Sequence, residues 1–202
     1  MTIDFKKTIN GFIIPAVIAL LSIVIAFSGE SVTELLRYDA TAIGNGEIWR
    51  IITAHFVHLS LPHLWLNLGG LFLVFAFFAQ CVSIKYWLIC LMLNAIGISL
   101  FVYYLNPEIL WYVGLSGILH GLFILGGIAD IHYRKWEGIG FTVIILGKVI
   151  YEQFYGPLPG SEETAGGPVL VDAHFYGAII GLILSIPLLF NSRLSTKLRN
   201  SP

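Results

Sequence analysis

The stretch Gly114–Gly121 reads GLSGILHG and sets a serine and a histidine four residues apart among three glycines. Residues four apart share a face of a helix, so Ser116 and His120 would be neighbours on one side. These eight residues leave two interpretations open. The serine is a nucleophile with a base one turn away, or the small residues only let membrane helices pack closely.

The composition of the chain is that of a membrane protein with several spans. Of its 202 residues, 57% are hydrophobic and 11% are charged, and the mean hydropathy is +0.84. Soluble domains average about 25% charged residues. The net charge is −1 and no basic cluster stands out, which argues against a nucleic-acid partner.

Six apolar segments approach the length of about 20 residues that a bilayer requires. Short connections join them and no repeat separates them, so residues 1–202 are interpreted as one domain. We therefore predict an all-α integral membrane protein with six transmembrane helices. The predicted spans cover residues 11–27, 59–79, 84–105, 111–130, 138–155 and 170–190.

Basic residues indicate how these spans are oriented, because cytoplasmic loops carry an excess of lysine and arginine. With both termini inside, eight basic residues lie in inner segments and two in outer segments. The inner ones are Lys6, Lys7, Lys85, Arg134, Lys135, Arg193, Lys197 and Arg199, and the outer ones are Arg37 and Arg50. We predict an N-in/C-in topology with an uncleaved first span.

Polar side chains gather near the outer ends of predicted spans two, four and six, which all run inward. His63 and Asn67 lie on the second, Ser116 on the fourth and His174 on the sixth. At about 1.5 Å of rise per residue, Ser116 and His174 lie roughly 8 Å below the outer edge, with His63 and Asn67 close to that depth. Polar groups are costly in a membrane and mark functional sites. We expect the three helices to bring these groups together.

This set of groups is sufficient for acyl transfer. A serine nucleophile needs a base within hydrogen-bond reach and donors for the oxyanion that forms. His63 and Asn67 share a helix face and can point at one site. Ser116, near the start of its helix, adds backbone N–H groups. Gly114 and Gly117 leave room for a neighbouring backbone.

Three motifs resemble those of the rhomboid intramembrane serine proteases. WRIITAHFVHLSLPHLWLN at 49–67, GLSG at 114–117 and AHFYG at 173–177 occur in this order on spans two, four and six. Each motif alone is weak, but their order and shared depth are specific. The resemblance covers the predicted six-span core and implies a rhomboid-like bundle.

The resemblance also implies roles for individual residues. The GxSG serine, Ser116, would be the nucleophile, and His174 the general base. His63 and Asn67 would form the oxyanion hole with the backbone N–H of Ser116. The Trp49–Arg50 pair would belong to a structural first outer loop.

A finer resemblance is to the rhombosortases, a bacterial branch of small six-span rhomboids. His120, which follows GxSG, and the six-span organisation both resemble that branch. It implies exported substrates with a C-terminal glycine-rich motif, a short apolar helix and a basic tail. The enzyme would remove this tail at the outer face of the bacterial cytoplasmic (inner) membrane.

His120 is the alternative base. A pair at this spacing on one rigid helix leaves little room for a carbonyl, so we expect His120 to pack beneath the site or bond a neighbouring helix. Asp172 lies two residues from His174 and off its face, so we expect it to cap its helix. A Ser–His dyad without a third member is the prediction.

Span five carries two charged residues, Lys148 and Glu152, four residues apart. An intrahelical ion pair is the first interpretation, since pairing lowers the cost of burial. A gating role is the alternative, because Glu152 lies beside the glycine-rich loop 156–169. That loop is either a mobile cap over the site or a linker.

Three histidines near the outer face raise the question of a metal. His55, His58 and His63 follow the pattern HxxH-x4-H, which lacks the glutamate of a zinc protease and has no carboxylate or cysteine nearby. We predict no metal and no cofactor. His58 is a supporting candidate at the site, and His55 is given no role.

Two functions of other classes compete with the protease. A catalytically silent rhomboid-like protein would bind membrane clients, but it would be expected to lack the serine or the histidine. A small transporter would carry polar residues across the whole membrane, whereas here they lie in the outer third. An ordinary rhomboid that cleaves other single-span substrates is the alternative within the family.

Overall fold

The computed structural model describes residues 11–190 and shows a bundle of helices. A helix lies at each of the six predicted segments. These helices are α1 (Ile13–Phe27), α5 (Leu61–Phe78), α6 (Ile84–Leu105), α7 (Ser116–Asp130), α8 (Lys135–Tyr155) and α10 (Val171–Phe190). Shorter elements connect them: α2 (Glu30–Leu36), β1 (Tyr38–Asp39), α3 (Ala40–Gly44), α4 (Arg50–Thr53), a 3₁₀ turn (Ala54–Phe56), β2 (Trp111–Tyr112) and α9 (Ser161–Ala165).

The helices agree with a membrane protein. Among the described residues, α5, α6 and the segment Val171–Leu189 of α10 are long and apolar enough to cross a membrane, and α1 and α7 are apolar but shorter. The all-α class is therefore confirmed. Six spans, one domain over 1–202 and the N-in/C-in topology stay predictions. Five of the basic residues behind that topology lie outside the described residues: Lys6, Lys7, Arg193, Lys197 and Arg199.

The predicted start of span four at residue 111 is wrong, because α7 begins at Ser116. Trp111 and Tyr112 form β2, which pairs antiparallel with β1. Gly114 then takes a φ of +124°, a conformation that glycine adopts readily and that breaks any helix running in from this side. The serine thus stands at the very first turn of α7.

Helices α7 and α10 pack against each other through glycines, a contact we call the α7–α10 seam. A Cβ placed on Gly117 would lie 2.8 Å from the carbonyl oxygen of Ala173, and one on Gly177 would collide with the carbonyl of Gly117. Gly121 faces the carbonyl of Gly177 in the same way, at 2.7 Å. Small residues at this spacing let two membrane helices touch backbone to backbone. The start of α7 is therefore held against the start of α10.

Residues 28–58 form an ordered loop of short helices and strand β1, which we call the outer loop after its predicted position. Arg50, buried, donates from Nη1 to the carbonyl oxygens of Glu34 at 2.6 Å and Arg37 at 2.9 Å, and pairs with Glu47 at 2.7 Å. Trp49 donates its indole N–H to the carbonyl of Leu35. Trp49 and Arg50 therefore fasten this loop, as the resemblance implies.

The glycine-rich loop 156–169 is also ordered. It contains α9, flanked by Gly160 and Gly166, which both have a φ of +79°. The hydroxyl of Ser60 donates to the carbonyl oxygen of Ala165 at 2.8 Å. Since Ser60 is also the N-cap of α5, the loop is tied to the helix that carries His63 and Asn67.

Candidate active site

Ser116 and His174 meet at the end of the α7–α10 seam where both helices begin. The hydroxyl Oγ of Ser116 lies 2.9 Å from Nε2 of His174, across 58 residues of sequence. This is the reach that a serine nucleophile requires from its base. The seam explains the proximity, because Gly117 and Ala173, the residues next to the pair, are in backbone contact.

His174 has a carboxylate partner that the spacing of residues along the chain does not indicate. Its Nδ1 lies 2.8 Å from Oε2 of Glu152 on α8. The expectation that no third group orients His174 is therefore wrong for this structure. Asp172, expected to cap the helix, accepts a hydrogen bond from Asn106 at the end of α6. The carboxylate that bonds His174 stands on a third helix, α8, and residue spacing along α10 gives no sign of it.

The two expected oxyanion donors face one point beside the serine. A Cβ built on Gly114 would lie 3.2 Å from Nε2 of His63 and 4.0 Å from Nδ2 of Asn67. The backbone N–H of Leu59 donates to Nδ1 of His63 at 3.4 Å, so the ring proton of His63 sits on Nε2.

The amide of Asn67 is buried and its Nδ2 has no hydrogen-bond partner within the described part of the chain. A buried donor without an acceptor is costly unless something completes it. A pocket of about 20 Å³ bordered by His63, Gly114 and Ser116 adjoins these groups, which is room for one water or one oxygen atom. The arrangement matches the requirements of an oxyanion hole.

His120 lies beneath Ser116 and His174. Its Nδ1 bonds the carbonyl oxygen of Ser116 at 2.7 Å, and its ring stacks on His174 with centroids 4.2 Å apart and planes 23° from parallel. The serine hydroxyl is bonded to His174 instead. This geometry agrees with His120 as support and disfavours it as the base.

Lys148 and Glu152 form the expected intrahelical ion pair, at 2.8 Å. The same ammonium lies 2.9 Å from Nε2 of His120. Glu152 is buried, and its second oxygen serves His174. The pair on α8 is therefore joined to both histidines of the site.

His55 lies away from the serine, within the outer loop. Its Nε2 bonds the carbonyl of Ala95 at 2.9 Å and lies 3.2 Å from the hydroxyl of Ser99, which in turn bonds Tyr112. Burial lowers the pKa of His55 to about 4. His55 therefore joins the loop to α6 and β2 as a neutral side chain.

His58 lies next to the expected oxyanion donor, with its ring 5.1 Å from that of His63 and nearly perpendicular to it. Burial lowers the pKa of His58 to about 3. His58 therefore contacts the expected oxyanion donor His63, and its supporting role at the site stays a prediction.

One group of side chains has the spacing of metal ligands. His120, Glu152 and His174 offer ligand atoms that all lie within 4.8 Å of one another. Lys148 already donates to two of the three, so the group is satisfied without an ion. The absence of a metal and of a cofactor stays a prediction.

An apolar groove opens from the serine between α5 and α8. It has a volume of about 570 Å³ and ends at Ser116, His63 and Asn67. Its walls are Trp65, Leu66, Gly69, Leu73, Ile145 and Lys148, and Leu158, Ala165 and Val169 of the glycine-rich loop close one side. A groove with these walls suits an extended or helical apolar segment.

Comparison with known proteins indicates the family to which this chain belongs. The Rhomboid domain model matches residues 45–191, which contain all of the site residues described above. The rhomboid protease GlpG of Haemophilus influenzae is 28% identical over 159 residues, covering 76% of this chain and 77% of the relative. The Rhomboid domain match covers the outer loop from residue 45 onward, the α7–α10 seam and both sides of the groove. The chain belongs to the rhomboid family.

Proposed function

We propose that this protein is an intramembrane serine endopeptidase in which Ser116 is the nucleophile and His174 the general base. The hydrogen bond between Ser116 Oγ and His174 Nε2, at 2.9 Å, carries the proposal. A catalytically silent protein that binds membrane clients does not need this hydrogen bond. It also does not need a buried amide such as that of Asn67, whose Nδ2 lies beside the serine without a hydrogen-bond partner among the described residues.

The reaction follows from the positions of these groups. His174 Nε2 accepts the Ser116 proton as Oγ attacks the scissile carbonyl. The oxyanion that forms accepts hydrogen bonds from the side-chain N–H groups of His63 and Asn67. The protonated His174 then donates to the leaving amine, which departs and leaves an acyl-enzyme. A water molecule, deprotonated by His174, hydrolyses this ester and restores Ser116.

The groove between α5 and α8 supports lateral access of a membrane-anchored substrate. A substrate helix must unwind near Ser116, because only an extended backbone presents its carbonyl. Glycine-rich segments unwind most readily, since glycine is about 1 kcal/mol less favourable than alanine in a helix. Substrates with glycine-rich C-terminal tails, cleaved near the outer face of the bacterial inner membrane, are therefore the class we propose. This is also the class that the resemblance of GLSGILHG to the rhombosortases implies.

The test is cleavage of a membrane-anchored reporter that carries a glycine-rich C-terminal tail, in proteoliposomes. We expect cleavage by the wild type and a loss of at least about 10³-fold in Ser116→Ala and His174→Ala. Asn67→Ala is expected to lower kcat by about 10²-fold with little change in KM. Retained cleavage by Ser116→Ala would contradict the mechanism.

A second substrate separates the branch from the family. A generic single-span reporter without the glycine-rich tail is compared under the same conditions. A preference for the tail supports the rhombosortase assignment. Efficient cleavage of the generic reporter alone would make the protein an ordinary rhomboid protease with other substrates.

A further inference from the structure

We propose that Glu152 is a positioning residue, which holds His174 in the tautomer that the reaction needs, and that Lys148 and His120 keep Glu152 in place. The inference rests on the proposed function, because it concerns the base of that reaction. It extends the Ser–His pair to three helices, α7, α8 and α10.

Five hydrogen bonds link these side chains in a closed ring. Ser116 Oγ donates to His174 Nε2, and His174 Nδ1 donates to Glu152 Oε2. Lys148 donates to Glu152 Oε1 and to His120 Nε2. His120 Nδ1 donates to the carbonyl oxygen of Ser116. The ring begins and ends at the nucleophile.

Every proton in the ring has one consistent position. A carbonyl oxygen only accepts, so His120 carries its proton on Nδ1 and receives the Lys148 ammonium at Nε2. An ionised carboxylate also only accepts, so His174 carries its proton on Nδ1. Its Nε2 is then left unprotonated and faces Ser116, which is the form that a general base must have.

Burial explains why Glu152 needs Lys148. The side chain of Glu152 is 2% exposed, and that of Lys148 is 27% exposed at the groove wall. A lone carboxylate at such a site is strongly disfavoured and tends to take up a proton. A protonated carboxyl could donate to Nδ1 of His174 and reverse its tautomer. The ammonium at 2.8 Å keeps the charge compensated and the carboxylate an acceptor.

His120 limits the motion of both partners. Its bond to the Ser116 carbonyl fixes its ring, and that ring stacks on His174 at 4.2 Å between centroids. Its other nitrogen receives Lys148. His174 is thus held by Glu152 in the plane of its ring and by His120 against its face.

The first test replaces Glu152. Glu152→Gln keeps the size of the side chain but can donate to Nδ1, so kcat is expected to fall by about 10²- to 10⁴-fold while KM changes by less than about threefold. Glu152→Asp keeps the charge and is expected to recover part of kcat. Glu137→Gln, the same change at an exposed site of α8, is the control and should leave both constants unchanged.

The second test replaces Lys148. Lys148→Met is expected to lower kcat about tenfold, whereas Lys148→Arg, which keeps the cation, should retain most of it. The rate at which a fluorophosphonate labels Ser116 should follow kcat in both variants, because labelling needs the activated serine and no groove contact. Thermal unfolding midpoints of all variants separate loss of the base from loss of the fold.

The outcomes distinguish this inference from the proposed function. Cleavage by Ser116→Ala would remove the function itself. If Ser116→Ala is inactive while Glu152→Gln keeps the wild-type kcat, only the positioning role is wrong. A rise in KM alone, or equal kcat in Lys148→Met and Lys148→Arg, would also overturn it, since the residues would then shape the groove and not the base.

Discussion

The α7–α10 seam and the groove between α5 and α8 flank the same serine and are built in opposite ways. In the seam, the space beside Gly117 and Gly177 is filled by backbone atoms of the facing helix. In the groove, nothing lies within 4 Å of the position where Gly69 would carry a Cβ. Glycine serves rigid contact on one side and open space on the other. A protease in a membrane needs both, because its catalytic pair must be fixed while one side admits a helix.

The seam should be the most sensitive part of the molecule. Gly177→Ala places a methyl group against the carbonyl of Gly117, and backbone at a helix contact cannot move aside as a side chain can. We expect a loss of stability of about 3 kcal/mol, at the upper end for overpacking, and loss of cleavage because Ser116 and His174 separate. Thermal unfolding and the cleavage assay measure the two effects.

Gly147→Ala on α8 is the matched control. Gly147 is exposed and has nothing within 4 Å of the point where an added methyl group would lie, so alanine should be neutral or raise stability by up to about 1 kcal/mol. Equal unfolding midpoints and equal cleavage for Gly177→Ala and Gly147→Ala would mean that the backbone contact in the seam does not hold Ser116 and His174 together.

Gly114 tests the join between the seam and the oxyanion site. Gly114→Ala adds a Cβ 3.0 Å from Cε1 of His63 on a backbone with φ of +124°, which should displace the ring. We expect kcat to fall by about 10²-fold, as for loss of one oxyanion donor. Gly46→Ala has a similar φ of +100° but no atom within 4 Å. Gly46→Ala therefore adds backbone strain without a clash. An equal fall in kcat for Gly46→Ala would show that displacement of the His63 ring is not the cause.

The groove should respond to substitution in substrate binding and not in chemistry. Gly69→Leu fills open space in the groove, so we expect KM for the anchored reporter to rise about tenfold. The rate of Ser116 labelling by a small fluorophosphonate should be unchanged. Slower labelling with an unchanged KM would instead mean that Gly69 affects the reactivity of Ser116 and not the binding of substrate.

The smallest effect is expected in the outer loop, where His55 bonds the carbonyl of Ala95 on α6. It is a loss of stability that appears only at acidic pH. Burial lowers the pKa of His55 from 6.5 to about 4, so the unfolded chain binds the proton more tightly than the folded protein. The stability from neutral His55 is complete above pH 6.5 and is lost as the pH falls towards 4, by about 2 kcal/mol at pH 5.

His55→Gln removes this titrating group, so its unfolding midpoint should fall less between pH 7 and pH 5 than that of the wild type. Identical slopes would show that His55 does not contribute. Cleavage at pH 7 should differ little from the wild type, because His55 bonds Ala95 and not the serine.

The contact between Ser116 and His174 could be predicted from the sequence because a membrane restricts where polar groups stand. Ser116 and His174 lie at the starts of two apolar helices that the sequence predicts to run in the same direction, so equal depth predicted their contact. Gly117, Gly121 and Gly177 strengthen that prediction, since they form the seam. The roles assigned to these residues await the experiments above.

The remaining parts escaped prediction for physical reasons. Glu152 and Lys148 form a complete i,i+4 pair, and nothing in their spacing shows that the second carboxylate oxygen serves His174 on another helix. The short helices α2, α3, α4 and α9 have too few residues to show a hydrophobic period. The start of α7 was missed because strand β2 is apolar and reads as a continuation of the span.

Labelling of the wild type with a fluorophosphonate, followed by mass spectrometry of the adduct, shows directly whether Ser116 is the nucleophile. We predict a single adduct on Ser116, formed at a rate that falls by at least about 10³-fold in His174→Ala and far less in His120→Ala. An adduct at another residue, or equal labelling rates in the wild type and His174→Ala, would contradict the account.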